Sequence, residues 1–472
     1  MKISRTSEPL VESTVEGGRV SRPRWFGRDV LPRPLPDRPW RHAPSGLAVA
    51  VALVLAVGVS VGATGTRGAA ADVGPVPATS AACAPGWVTG WQTAAQPAPG
   101  NRSIGGTTVR MIVRPQVTGS EVRLRLSNVY GTVPLTVAAA SAARSDGAAG
   151  LLAGTGWPVS FGGQPSVVIP AGADVVSDAV PLVAEAGRPL AVSMFLPVAP
   201  PVVTQHTVAL QTSYVSRRGD FTLADESAFP TTIRSWLVLT GVDVLVPRPV
   251  NAVVAVGDSI TDGVGSGVDA DQRWPDALSD LLAKTGGDGV MSVLNAGISR
   301  NRLLTDSTVG GGDSPLTRFD RDIAGAAGVT DVVLHIGTND IAARRSAAEI
   351  TDGLRRFAER ARGAGKRVFL TTITPSDTGA HGTPAAVATR AAVNAWVRAH
   401  GREYADGVFD FAASVADPKR PTRLAPVFDS GDGLHLSAAG YRTVAAAVQP
   451  ALLTGSPCLA DTSPVRLLVS GS

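Results

Sequence analysis

From residue 250 onward the chain alternates between two hydrophobic periods, and this limits its folding more than any other feature. Short apolar runs at Val253–Val256, Val290–Leu294, Val332–Ile336, Val368–Thr372 and Val408–Phe411 read as buried strands. Between and after them, Trp274–Lys284, Ser346–Gly363, Ala385–His400 and Ser437–Leu453 carry helical spacing. In the second of these, Ser346 and Glu349 match a capping box, and Ile350, Leu354, Phe357 and Ala361 fall on one stripe. Strands that alternate with helices predict a parallel sheet covered on both faces. Such a sheet gathers its chemistry at the carboxyl ends of its strands.

Four polar clusters fall at such positions or just before a helix: Gly257-Asp258-Ser259, the loop Asn295-Ala296-Gly297-Ile298-Ser299-Arg300-Asn301, the turn Gly337-Thr338-Asn339-Asp340, and Asp432-Gly433-Leu434-His435. The first three follow predicted strands and converge on one sheet edge, and the fourth can fold back over it. Acyl transfer needs a nucleophile, a base, a group that orients the base, and donors for the oxyanion. Ser259 suits the first role once an imidazole accepts its proton. His435 is the best base, because Asp432 three residues earlier can reach the far ring nitrogen. His42, His206, His335, His381 and His400 read as structural or solvated. Asn339 can donate its side-chain amide to an oxyanion, together with the Ser259 N–H and one N–H from the 295–301 loop. The plainer alternative is that Asn339 and Asp340 only close a turn.

Two rival motifs fit poorly. Gly263-Val264-Gly265-Ser266-Gly267 misses the dinucleotide spacing. Asp269 and Asp271 lack a surrounding ligand set, so no metal and no cofactor is expected, and a flexible polar loop is the reading for both motifs.

The rest of the 472-residue chain reads differently. From Trp87 to Val246 short strand-like segments recur: Val109–Val113, Val122 to Leu126 with arginines between, Val167–Ile169, Leu190–Leu196, Val208–Val215 and Ile233–Val246. They predict a β-sandwich over residues 83–246, followed by the hinge Pro247-Arg248-Pro249 and the α/β domain over 250–458, with a tail at 459–472. Upstream lie a basic stretch (1–44), an apolar segment (45–63) and a Gly/Ala/Thr/Pro linker (64–82). The formal charge of +4 is carried by residues 1–44, so the remainder is near neutral and offers no basic face to nucleic acid. The apolar segment is either a cleaved signal or a retained anchor, and with arginines on its cytoplasmic side either form exports the chain downstream of it. An extracellular location is expected, secreted or held at the outer face of the membrane by that segment. Cys83 and Cys458 lie near the ends of the folded part, where chain termini often meet. One disulfide fits an oxidising compartment, and two separate thiols are the alternative.

Taken in order, the four clusters resemble the blocks of the SGNH/GDSL hydrolases. The resemblance implies a flavodoxin-like three-layer sandwich with sheet order 2-1-3-4-5, here preceded by the β-sandwich domain. It also implies metal-free ester hydrolysis with Ser259 as nucleophile, His435 as base, Asp432 as its orienter and Asn339 as oxyanion donor. Ordinary α/β-hydrolases are a poorer match, because Thr261 stands where their elbow needs a second glycine. One position departs from the family pattern: Arg300 stands where a glycine usually gives its N–H to the oxyanion hole. The backbone N–H of Arg300 survives that change, with Gly297 the lesser candidate. If the loop needs a positive φ, arginine is a poor host. The guanidinium is either solvated or directed at a polar or anionic substrate.

Trp87, Trp91, Asn128-Val129-Tyr130-Gly131 and Gln211-Thr212-Ser213-Tyr214 resemble the domain that precedes the catalytic one in exported two-domain SGNH esterases, among them xylan and other carbohydrate esterases. The expected substrate is therefore an acylated, chiefly O-acetylated, carbohydrate. Two alternatives stand beside it: a lipase or broad acyl-ester hydrolase, and a catalytically weak surface carbohydrate-binding protein.

Overall fold

The computed structural model describes residues 83–100, 102–286, 290–307 and 310–459, all within the compact unit Pro75–Ser472. The basic stretch, the apolar segment and the linker lie outside the described residues, as does the tail beyond Leu459. Among the described residues no helix is long and apolar enough to cross a membrane.

The second half is built on a parallel sheet of β1 (Asn251–Gly257), β2 (Met291–Gly297), β3 (Val329–His335), β4 (Arg367–Thr371) and β5 (Gly407–Phe409). Neighbours across the sheet run β2-β1-β3-β4-β5. Every residue of β1 from Ala252 to Gly257 is buried, as expected of a strand covered on both faces. The helices are α1 (Ser259–Asp262), α2 (Trp274–Thr285), α3 (Thr338–Ala342), α4 (Ala347–Gly363), α5 (Pro384–Tyr404), α6 (Phe411–Val415) and α7 (Ala438–Ala447). The capping box at Ser346 and Glu349 forms, and Ile350, Leu354, Phe357 and Ala361 are all buried. The last helix is shorter than its apolar pattern predicts. Pro450 pushes Gln449 into extended backbone and ends the regular turns.

The first half consists of antiparallel sheets. A four-stranded sheet pairs Gly86–Gln92, Leu239–Val246, Glu121–Ser127 and Asp174–Val176, in that order. A six-stranded sheet has Thr107–Val113 and Leu190–Leu196 at its centre, and a three-stranded sheet contains Val202–His206. The strand expected at Val208–Val215 starts only at Ser213, because Leu210 adopts left-handed backbone (φ 49°) in the preceding loop. The run Ile233–Val246 is likewise cut at Val238 (φ 65°). The strand Ala139–Arg144 carries no strand signal in its sequence, since alanine has little β preference.

One contiguous set of buried apolar side chains runs from Val88 in the first half to Ala405 in the second. A polar seam crosses it at Thr89, which is fully buried. The Thr89 hydroxyl donates to Asp243 Oδ1 (2.8 Å), its carbonyl accepts from Ser292 Oγ on β2 (2.7 Å), and its N–H reaches the Ala327 carbonyl (3.0 Å). Every polar atom placed there has a partner, as burial demands. Cys83 and Cys458 form a disulfide across 375 positions, with Cα atoms 5.3 Å apart.

Candidate active site

The pairings Gly257↔Gly297 and Gly257↔His335 bring the ends of β1, β2 and β3 level. A side chain at Gly257 would collide with the His335 carbonyl and Thr261, so only glycine fits this closely packed strand end. Asp258 then caps α1 by accepting the Ile260 N–H at 3.1 Å, which makes Ser259 the first helical residue. As such, the Ser259 N–H has no acceptor within its own helix and points out of the helix terminus.

Ser259 is 6 % exposed. Its Oγ lies 2.9 Å from His435 Nε2, and His435 Nδ1 lies 2.6 Å from Asp432 Oδ2. The short Asp432–His435 spacing works because Asp432 Oδ1 also accepts the backbone N–H groups of Leu434 (2.9 Å) and His435 (2.8 Å), which folds the loop around its own carboxylate. Partial burial disfavours the Asp432 charge, but the bonds from His435 and from these N–H groups outweigh it and hold the carboxyl below its usual range. Asp432 therefore stays ionised and can fix the imidazole tautomer that leaves Nε2 facing the serine hydroxyl.

Arg300 adopts φ 67°, the conformation that explains a glycine at this place in the resembling family. Its side chain is exposed. The Gly297 N–H is bound to Asn295 Oδ1 at 2.8 Å, so Gly297 is not free to donate elsewhere. The 297–301 loop is tied to its neighbours on both sides: the Ile298 N–H reaches the Gly257 carbonyl (3.1 Å), and Asn339 Nδ2 reaches the Asn301 carbonyl (3.0 Å). The second Nδ2 hydrogen of Asn339 remains for another acceptor. Asp340 accepts the N–H groups of Leu303 (2.8 Å) and Leu304 (3.1 Å) and so pins the continuation of the same loop.

Three residues support the site from outside the four clusters. Arg318, 1 % exposed, pairs with Asp322 (2.7 Å) and donates to Asn301 Oδ1 (3.0 Å), beneath the loop. His381, read from sequence as structural or solvated, has Nδ1 3.2 Å from Thr338 Oγ1, beside Asn339. Burial, with Arg390 and His435 nearby, lowers its pKa. His206, assigned to the upstream half as structural, lies 2.9 Å from Asp262 Oδ1 at the end of α1. His335 does match its structural reading: buried against Thr371, it is held neutral with a pKa of about 3.

The polar loop after α1 is not free. Asp269 Oδ1 accepts from Gln211 Nε2 (2.6 Å) and the Thr212 N–H (2.6 Å), and its Oδ2 from Thr212 Oγ1 (2.7 Å), while Asp271 pairs with Arg114. Among the described residues no group of acidic, histidine or cysteine side chains is arranged to hold a metal ion.

Residues 255–443 match the model of the GDSL-like lipase/acylhydrolase family. No curated protein matches the chain. Similar solved structures include a carbohydrate acetylesterase family member from Sinorhizobium meliloti, at 22% identity and TM-score 0.35, covering 43% of this chain and 97% of that one. A GDSL-like lipase from Bacteroides thetaiotaomicron shares 20% identity at TM-score 0.32, over 43% of this chain and 87% of that one. The aryl esterase of M. smegmatis shares 21% at TM-score 0.31, over 42% and 95%. Over residues 255–443, then, the chain is similar to the GDSL-like lipase/acylhydrolase family.

Proposed function

We propose that the protein is an exported serine ester hydrolase that cleaves O-acyl esters, O-acetyl groups on carbohydrate foremost, through an acyl-enzyme on Ser259. The observation that carries this reading is the unbroken line from Asp432 through His435 to Ser259 Oγ, at 2.6 and 2.9 Å. Ser259 Oγ attacks the ester carbonyl carbon while His435 Nε2 takes its proton. The carbonyl oxygen becomes an oxyanion facing the N–H groups of Ser259 and Arg300 and the Asn339 amide. Collapse breaks the bond to the alcohol, which leaves with the proton from His435. Water then repeats the sequence on the acyl-enzyme and releases the acid.

The Cys83–Cys458 disulfide supports export, since such bonds persist in oxidising compartments. The carbohydrate assignment rests on the resemblance of the upstream half to that of exported carbohydrate esterases.

The test is hydrolysis of p-nitrophenyl esters of increasing acyl length by wild type and Ser259→Ala, followed by acetate release from acetylated xylan and fatty-acid release from triglyceride. Wild-type turnover of the acetyl ester should exceed that of the variant by about 10⁴-fold or more. Equal rates would refute the serine mechanism. Triglyceride hydrolysis without acetate release would replace the carbohydrate assignment with the lipase one.

A further inference from the structure

His206 belongs to the upstream half, on the strand Val202–His206, and is 3 % exposed. Its Nδ1 lies 2.8 Å from the Ala94 carbonyl oxygen, and its Nε2 lies 2.9 Å from Asp262 Oδ1 and 3.2 Å from the Val208 carbonyl oxygen. Each of these partners only accepts once Asp262 is ionised, so both ring nitrogens must donate and the ring is an imidazolium. The charged groups around it are consistent with this. Burial opposes the charge and Arg273 repels it, but Asp262 opposite and the Ala94 carbonyl outweigh them and raise the imidazole pKa. Arg273 is itself paired with Asp276 and Asp271.

Asp262 directs its other oxygen at the loop after β2. Its Oδ2 accepts the Ser299 N–H at 2.8 Å and the Ser299 hydroxyl at 2.6 Å. The next residue is Arg300, in left-handed backbone at φ 67°. A non-glycine residue in that conformation persists only where its surroundings over-determine it. A fixed Ser299 is such a constraint, because it sets the plane of the peptide whose N–H belongs to Arg300.

We propose that His206 is a positioning residue for the ester hydrolase: through Asp262 and Ser299 it aims the Arg300 N–H at the oxyanion, so that the upstream half completes the active site. The proposal rests on the serine-esterase reading above. Arg300 donates to an atom whose negative charge develops only in the transition state. Losing its aim therefore lowers kcat and leaves KM nearly unchanged.

The experiment compares the full chain as wild type, Ser259→Ala, His206→Gln and Ser299→Ala on p-nitrophenyl acetate. Rates are divided by active sites counted with a phosphonate serine reagent, except for Ser259→Ala, which is compared with wild type per mole of protein. Ser299→Ala removes only one hydroxyl bond near the surface and guards against a His206→Gln protein that fails to fold. Hydrogen exchange of the peptide containing residues 297–301 is read in the same samples. His206→Gln should lose at least about tenfold in kcat per site, with KM within about twofold and faster exchange in that peptide. Ser299→Ala should move the same way by about threefold. A kcat per site equal to wild type in both variants, or a loss confined to KM, would overturn the positioning role while leaving the esterase reading intact. A wild type no faster than Ser259→Ala would instead remove the esterase reading and this proposal with it.

Discussion

Single residues in this protein carry conflicts that the fold resolves at some expense. Arg300 holds a left-handed conformation, which costs an ordinary side chain about 1–2 kcal/mol. Replacing it with glycine keeps the backbone N–H and removes that strain, while making the unfolded chain more flexible. Arg300→Gly should therefore unfold within about 1 kcal/mol of wild type, on the stabilised side, and keep esterase turnover within about threefold. A tenfold loss of turnover would mean that the guanidinium itself acts on the substrate.

Asp258 carries a second conflict. Burial pushes its carboxyl up to about 7 against the pull of the Ile260 N–H bond, and Asp340 and Asp262 add to the push. Its folded pKa thus exceeds the unfolded value of about 3.9. The folded state binds the proton more tightly, so this group's contribution is fully present below about pH 3.9 and is lost as pH rises through about 7. Asparagine can keep the cap without that titration. Melting curves of Asp258→Asn and wild type should accordingly diverge in the variant's favour between about pH 4 and pH 8, and parallel curves would contradict the assignment.

At the scale of elements, the strand ends were legible and the ties between them were not. The period-2 and period-3.6 patterns anticipate every strand of the parallel sheet within a few residues, because strands buried on both faces leave continuous apolar runs. The clusters at Ser259 and Asn339 are legible for a related reason: each is short, polar and placed where such a run stops, while that at His435 stands just before the last helix. The supports escape because they act across large separations. Arg318 reaches Asn301 from a loop, and Gln211 with Thr212 reaches Asp269 from the other half. The residues beside His206 and Arg318 in sequence do not announce the Asp262 and Asn301 that these side chains reach. Backbone exceptions escape for another reason, since Leu210, Val238 and Arg300 all take positive φ without being glycine. There local preference is overridden by long-range packing.

For the whole molecule, the contiguous apolar core and the Thr89 seam join the two halves, and the Cys83–Cys458 disulfide ties the beginning of the described chain to its end. Removing a native disulfide usually costs about 2–5 kcal/mol. Reduction under native conditions should therefore lower the melting temperature in a single transition, with the halves unfolding together. Two separate transitions would show that the halves are independent.

The proposed esterase mechanism rests on Ser259 being the residue that becomes acylated. The direct measurement is covalent trapping: wild type and Ser259→Ala are treated with a phosphonate ester, and the adduct is located by mass spectrometry of the digested protein. One adduct per chain, on the peptide containing Ser259, lost in Ser259→Ala and suppressed in His435→Ala, is the predicted result. An adduct on another residue, or equal labelling of Ser259→Ala, would contradict it.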